Sequence, residues 1–243
     1  MTQTPELSVV VPVYNEENRI KHGLKEILKY LDGKKYSWEL VIVDDGSSDQ
    51  TITLARNILV KIKNARVLAS QHAGKGGAIK KGVLNSKGKW VIFLDIDLAT
   101  PMNQLEKFMD IREKFDIIIG SRKIKGARIL VHQPKFREAG GRIFTFLTNL
   151  LLTKDISDIT CGFKLFRGQV AKKLFRQSLL TGWSFDAEVL FLAQKTGARI
   201  KEMPVSWRDD PQTRVNLLRD TVESFLGLIK IRLNQFQGKY DLL

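Results

Sequence analysis

Apolar segments of strand length alternate with segments of helical period through the first half of the chain. Leu7-Ser8-Val9-Val10-Val11-Pro12-Val13 is nearly all apolar, as are Trp38-Glu39-Leu40-Val41-Ile42-Val43, Val67-Leu68-Ala69, Val91-Ile92-Phe93-Leu94 and Ile117-Ile118-Ile119. Continuous apolar runs of this length predict strands buried on both faces, as in a parallel sheet. Between them, Ile20, Leu24, Ile27, Leu28 and Leu31 repeat at helical spacing, and residues 50–62, 75–85 and 101–114 read as further helices. Pro12 is expected to close the first strand. Ser48 or Asp49 is expected to cap the second helix. Thr100 and Pro101 read as the cap and first turn of the helix after residue 94. This β-α rhythm predicts an α/β fold: a mostly parallel, Rossmann-like sheet flanked by helices.

The rhythm breaks after Arg122. Residues 143–152 form an apolar segment, 163–166 an aromatic, strand-like end, and 182–196 a helix that Ser184 or Asp186 could cap. Residues 200–207 alternate as a strand. A final helix over 216–236 places Leu218, Val222, Phe225, Ile229, Leu233 and Phe236 on one face, widened by Leu217, Leu228 and Ile231. Such a face covers a core or lies on a membrane. No repeat or low-complexity linker divides the 243 residues, so a single domain over 1–243 is expected.

Charge changes the picture. The chain carries a formal net charge of +14, which implies an anionic partner. Seven of the basic residues (122, 123, 125, 128, 135, 137 and 142) fall within 121–142 against one acid, Glu138. A basic stretch beside an apolar helix suits a membrane interface, and a helix packed on the core fits equally well. No nucleic-acid recognition motif accompanies the charge, so no nucleic acid is expected. A single cysteine, Cys161, rules out an internal disulfide and a cysteine-based zinc site. No apolar run approaches the ~20 residues of a membrane span, which leaves a soluble or peripheral protein.

Candidate chemistry clusters at strand ends. Asp95 and Asp97 follow the fourth apolar run and Asp44-Asp45-Gly46 the second. The carboxyl ends of strands are where open α/β sheets bind ligands. Two hard oxygen ligands suit Mg²⁺ or Mn²⁺ together with substrate phosphates; a polar turn explains the same residues. Lys75-Gly76-Gly77 opens a helix, where free N–H groups and a cation could meet a phosphate. It is neither a P-loop nor a dinucleotide fingerprint.

Taken in order, Val9-Val10-Val11-Pro12-Val13-Tyr14-Asn15-Glu16-Glu17, Ile42-Val43-Asp44-Asp45-Gly46-Ser47-Ser48-Asp49 and Asp95-x-Asp97 resemble family 2 glycosyltransferases of the GT-A fold. Asp97-Leu98-Ala99-Thr100, Gly120-Ser121-Arg122, Asp158-x-x-Cys161-Gly162-Phe163-Lys164-Leu165-Phe166, Trp183-x-Phe185-Asp186-x-Glu188 and the 214–220 segment narrow the resemblance to the dolichyl-phosphate glucosyltransferase group, close to dolichyl-phosphate mannose synthases. The resemblance implies a donor half over 1–122 and an acceptor half with interfacial helices over 123–243. In the donor half it implies Pro12, Tyr14, Glu16 and Asp44 at the nucleoside, assisted by Asp45. Asp95 and Asp97 would hold the metal and the donor diphosphate, beside Lys75, and Arg214 would reach that diphosphate. Arg122 and Arg137, and more weakly Arg142, would grip the acceptor phosphate. Ala99 stands where mannose synthases usually carry a Gln that completes the metal shell, which favours the glucosyltransferase branch.

The implied reaction is inverting transfer of glucose from UDP-glucose to a polyprenyl phosphate such as dolichyl phosphate. A phosphate acceptor is already anionic and needs little general-base help; Asp158 is the candidate base if one operates. GDP-mannose or another nucleotide sugar as donor, and a non-catalytic membrane- or nucleic-acid-binding module, stay open as alternatives. The expected location is cytoplasmic, peripheral on the cytoplasmic face of a membrane, with contact through residues 123–152 and the final helix.

Overall fold

Seven of the apolar segments pair into one sheet in the computed structural model, which describes residues 4–210 and 217–241. The strands are β1 (Leu7–Val13), β2 (Trp38–Asp44), β3 (Ala65–Ala69), β4 (Trp90–Phe93), β5 (Ile117–Ser121), β7 (Lys164–Arg167) and β8 (Ile200–Pro204), in the order β3-β2-β1-β4-β7-β5-β8. β7 runs antiparallel to both neighbours, β4 and β5; every other pair in this sheet is parallel. A strand from late in the chain is thus inserted between two early ones. β6 (Arg128–Val131) and β9 (Ser206–Arg208) form a separate parallel pair.

The period of two explains why the strands are apolar throughout. Val10, Val41, Val43, Val91 and Phe93 enter one core, while Val9, Val11, Leu40, Ile42 and Ile92 enter the other. The helices α1 (Ile20–Asp32), α2 (Thr51–Leu59) and α4 (Leu105–Ile111) cover the second face. The first is covered by α3 (Lys75–Asn85), α6 (Gly168–Gln177), α7 (Phe185–Lys195) and parts of α5 (Lys135–Leu151) and α8 (Leu217–Phe236). Phe93 is the aromatic hub of that core, with ring centroids 5.7 Å from Phe166, 6.3 Å from Phe175 and 5.9 Å from Phe185.

Several boundaries differ from the sequence reading, each for a local reason. β1 continues past Pro12, because Val13 O accepts from Asp45 N–H at 2.9 Å. α1 begins only at Ile20, because the N–H groups of Asn15, Glu16 and Glu17 donate to Ser47, Thr51 and Asp49 side chains instead of joining a helix. Neither Ser48 nor Asp49 is the N-cap of α2: Gln50 holds that position without a side-chain cap bond, and Asp49, one residue earlier, accepts from Thr51 N–H at 2.9 Å. Thr100 caps nothing: Pro101 is itself the extended residue before a short 3₁₀ turn, and α4 spans only Leu105–Ile111 between two such turns. Neither Ser184 nor Asp186 caps α7 through its side chain. Asp186 is turned inward to Lys164, and Glu188 accepts from Leu179 N–H and Leu180 N–H and from the buried Tyr240 hydroxyl. Residues 200–207 divide into β8 and β9.

The stripe expected along the final helix does not face the core. Leu228 and Ile231 are its buried apolar side chains among the described residues, and Phe225 packs edge-on against Phe144 of α5. Val222, Ile229, Leu233 and Phe236 point outward with Leu226, each more than half exposed. The side chains of Leu217 and Leu218 lie outside the described residues. On α5, Ile143, Phe146 and Leu150 are likewise more than half exposed. No helix among the described residues is long and apolar enough to cross a membrane.

Truncating Phe175 to Ala removes one wall of the Phe93 cluster and leaves a cavity. The expected cost is about 3–5 kcal/mol, read as a drop in the urea midpoint at unchanged slope. A midpoint equal to that of the parent protein would contradict the packing.

Candidate functional site

The ends of β1 and β4, the turn after β2 and the start of α3 frame a cleft of about 580 Å³ at the carboxyl edge of the sheet. Pro12, Tyr14, Glu16, Asp45, Lys75, Asp95 and Asp97 all line it. Seven of the expected donor residues thus converge from four separate stretches of chain. Asp44 lies just behind the wall, buried.

Asp95 and Asp97 follow a strand that is itself wholly buried, so their charge sits beside a low-dielectric core. Burial, then the neighbouring Asp95, raises the Asp97 carboxyl to about 6. Lys75, at the start of α3, answers this charge with its Nζ 2.7 Å from Asp95 Oδ1. Burial works against the Lys75 cation, but Asp95, Asp186 and Asp97 hold its pKa above the ordinary value. Gly74 makes this placement possible. Its φ of +95° suits glycine, and a Cβ there would stand 2.7 Å from Thr181 O. Behind Lys75, the buried pair Lys164–Asp186 joins β7 to α7, and Lys164 Nζ also donates to Cys161 O. Gly162 packs against Asp95, where a Cβ would overlap Oδ2.

Two carboxylates two residues apart, facing a cleft and balanced by one ammonium, are a fit donor set for a hard divalent cation that takes its other ligands from phosphate and water. No cluster of three or more His, Cys, Asp or Glu that could hold a metal occurs among the described residues, so these two would be its protein ligands.

The Tyr14 end of the cleft is organised by aromatic stacking. Tyr14 stacks on His72 with centroids 4.3 Å apart and an interplanar angle of 25°. Asp45 is fully engaged: Oδ1 accepts from Ala73 N–H, Oδ2 from Gly74 N–H, and His72 Nδ1 lies 2.9 Å from Oδ2. It therefore shapes the turn that carries His72 and Lys75. Asp44 differs. Its Oδ2 accepts from Ser47 N–H, while Oδ1 is buried without a partner among the described residues. Glu16 is held by a two-point contact from Arg19, whose third nitrogen meets Asp210 at 2.9 Å.

Arg122 stands apart from the cleft wall, at the end of β5. Its Nε and Nη2 contact Asp158 at 2.7 and 2.8 Å, Nη2 also reaches Thr160 Oγ1 at 2.9 Å, and its guanidinium lies 5.2 Å from the Trp207 ring centre. Burial alone would raise the Asp158 carboxyl, yet the Arg122 charge holds it at about 2. This pairing fits Asp158 for orienting the arginine better than for taking a proton. The field of Asp95 still reaches Arg122. Arg137, in the first turn of α5, keeps a buried Nε without a partner among the described residues. Arg142 lines a different groove with Lys123, and Arg214 lies outside the described residues.

A sequence profile described as Glycosyl transferase family 2 matches residues 8–175. This chain belongs to glycosyl transferase family 2. The glycosyltransferase is 34% identical to a Dictyostelium discoideum dolichyl-phosphate beta-glucosyltransferase, over 97% of this chain and 76% of the relative. The Saccharomyces cerevisiae protein of the same name is 33% identical, over 96% and 76%, and the Homo sapiens one 32%, over 98% and 78%. Among solved structures, glucosyl-3-phosphoglycerate synthase from Mycobacterium tuberculosis, in complex with Mn²⁺, UDP and glucosyl-3-phosphoglycerate, superposes with a TM-score of 0.68. It is 17% identical, with 93% of this chain and 80% of that one covered. S. aureus TarS 1-349 in complex with UDP-GlcNAc gives 0.58 at 19% identity, with 94% and 67% covered. The fold of the glycosyltransferase is thus GT-A.

Other residues of the cleft carried no signal in the sequence reading. His72 and Arg19 reach it only through the fold, as do Asp220 and Glu223 of α8. The apolar stripe of the final helix read as a core cover or a membrane face; its two acids gave no hint of a cleft.

Replacing Asp158 by Asn leaves Arg122 buried and unpaired, with an expected loss of about 3–5 kcal/mol at pH 7. A carboxyl depressed to about 2 adds stability above its unfolded pKa, and that contribution fades as pH falls through the folded value. The pair's pH-dependent share is about 2 kcal/mol. Urea midpoints of parent and variant should therefore converge from about pH 4 down to about pH 2. A constant gap across that range would refute the pairing.

Proposed function

We propose that this glycosyltransferase moves glucose from UDP-glucose to a polyprenyl phosphate, with dolichyl phosphate as the acceptor, and inverts the anomeric centre. The carrying observation is the likeness, at about a third identity over almost the whole chain, to several dolichyl-phosphate beta-glucosyltransferases. The geometry supports a nucleotide-sugar donor. The Tyr14–His72 stack offers a surface for a base. Behind the wall, the buried Asp44 Oδ1 has no partner among the described residues and is the kind of acceptor that the imino N–H of uracil takes.

Asp95 and Asp97 would hold Mg²⁺ or Mn²⁺, which supplies Lewis-acid neutralisation of the leaving diphosphate. Lys75 adds a fixed positive charge at the same edge, and Arg214 is assigned to the diphosphate as well. Arg137 is assigned to the acceptor phosphate, and its buried Nε has no partner among the described residues. Arg122, with Nε and Nη2 engaged by Asp158, meets that phosphate through Nη1 rather than through a two-point fork. The acceptor oxygen carries its own charge, so these residues align it for attack opposite the departing UDP, and alignment supplies much of the rate. Attack from that side gives inversion.

The protein works as a peripheral enzyme on the cytoplasmic face of a membrane. Support for this comes from the exposed apolar residues of α5 and α8, next to the basic 121–142 segment.

The test is labelled-sugar transfer to dolichyl phosphate in detergent with Mg²⁺ or Mn²⁺, comparing UDP-glucose, UDP-N-acetylglucosamine and GDP-mannose. Transfer from UDP-glucose alone is expected; transfer only from another donor would overturn the sugar, and no transfer from any would overturn the acceptor. Asp97→Asn should lower metal-dependent transfer on the order of a hundredfold or more while the thermal melt is kept. Arg137→Ala should raise KM for the lipid phosphate about 10- to 100-fold, with the donor KM little changed. Equal shifts in both constants would remove Arg137 from the acceptor site.

A further inference from the structure

We propose that the groove between α5 and the 155–157 loop binds the headgroup of an anionic phospholipid; neither Arg122 nor Arg137 lines it, and Arg142, given to the acceptor phosphate by resemblance, is reassigned to this groove. The inference rests on the membrane-peripheral reading above and gives it a chemical address.

The groove encloses about 440 Å³ and shares no lining residue with the donor cleft. Lys123 and Arg142 both line it, together with Asp155 and Ser157. Lys123 Nζ donates to Gly141 O at 3.1 Å and to Thr145 Oγ1 at 2.8 Å. An ammonium has three N–H donors, so one is left for a ligand. Burial weakens the charged form of Lys123, as do the nearby Arg122 and Arg142, against the pull of Asp158. A phosphate entering between Lys123 and Arg142 would relieve that repulsion. Arg142 forms no ion pair among the described residues, so its fork is available for a phosphate. Asp155, held at φ +54°, places one carboxylate in a groove that otherwise favours anions. A bare phosphate has no use for it, whereas a headgroup that carries hydroxyl or ammonium donors beyond its phosphate does.

The rim decides between a lipid and a free phosphate ester. Phe146 lines the groove and is 66% exposed, and Ile143 and Leu150 on the same helix are 53% and 66% exposed. Through the Phe144–Phe225 contact, α5 adjoins α8 with its own outward apolar stripe. Two cations inside an apolar border match a phosphate joined to acyl chains. A water-soluble ester would leave that border wet.

The test is co-sedimentation of the full chain with vesicles of phosphatidylcholine alone, or of phosphatidylcholine with phosphatidylserine or phosphatidylinositol at equal charge. The anionic vesicles should bind more tightly. Arg142→Ala should lose about fivefold of that preference, the effect of one cation at an anionic surface. Lys135→Ala, which removes a basic residue of the same helix outside the groove, should lose clearly less. Equal losses in the two variants would mean a diffuse charge effect and overturn the site. Ile229→Ser separates the underlying reading: it should weaken binding to all vesicles and leave the anionic preference intact. If the parent chain binds no vesicle, or Ile229→Ser changes nothing, the membrane reading falls and the headgroup site with it. Glycerol 3-phosphate is the competitor. Failure to displace the chain supports a lipid occupant; displacement at low concentration identifies the groove as a site for a soluble ester and overturns the lipid assignment.

Discussion

Two carboxylates at the end of a buried strand cannot stand alone. Asp95 and Asp97 leave β4 where the sheet is covered on both faces, and every unit of negative charge there must be met by a cation or by protonation. The surroundings answer that demand. Lys75 reaches Asp95 from the start of α3, and Lys164 holds Asp186 on the far side, so that charges of alternating sign run from β7 to the cleft. Gly74 and Gly162 are small because this crowding leaves no room for a side chain. A site built to balance two negative charges is also suited to receive a divalent cation and a diphosphate together, since each brings the charge that the other needs.

The antiparallel β7 links this site to its neighbour. By pairing with both β4 and β5, it places the Cys161–Lys164 turn under Asp95 and sets Asp158 beside Arg122. The early and late parts of the chain therefore do not form separate bodies. Arg122 is fixed by two carboxylate contacts, a threonine hydroxyl and an indole face, which hold its guanidinium in one orientation. Asp158 is held deep in the ionised range by the same contacts, which makes it a poor proton acceptor.

On the outside, α5 and α8 present apolar side chains to solvent beside the most basic part of the chain. Scattered exposed apolar residues are ordinary. Here they repeat at helical spacing on two packed helices, and the groove with Lys123 and Arg142 opens next to them. The same helix α8 brings Asp220 and Glu223 to the cleft, so one of its sides faces the cleft and another faces solvent.

Much of this was written in local pattern. Uninterrupted apolar runs announced the buried strands, because a strand covered on both faces has no polar position to alternate. The position of Asp44, Asp45, Asp95 and Asp97 at strand ends followed from the same runs, and α3 begins at Lys75 as its Lys-Gly-Gly start suggested. What local pattern could not show was direction and pairing. Nothing in Lys164-Leu165-Phe166 states that it runs antiparallel between β4 and β5, since a buried strand has the same composition either way. His72 and Arg19 joined the cleft, and Asp45 became a turn-former with both oxygens engaged, through contacts across about thirty residues or more of chain. The apolar stripe of the last helix had two readings in sequence, because periodicity marks a face without saying what meets it. Only the packing of Leu228 and Ile231 against the core turned Val222, Ile229, Leu233 and Phe236 outward.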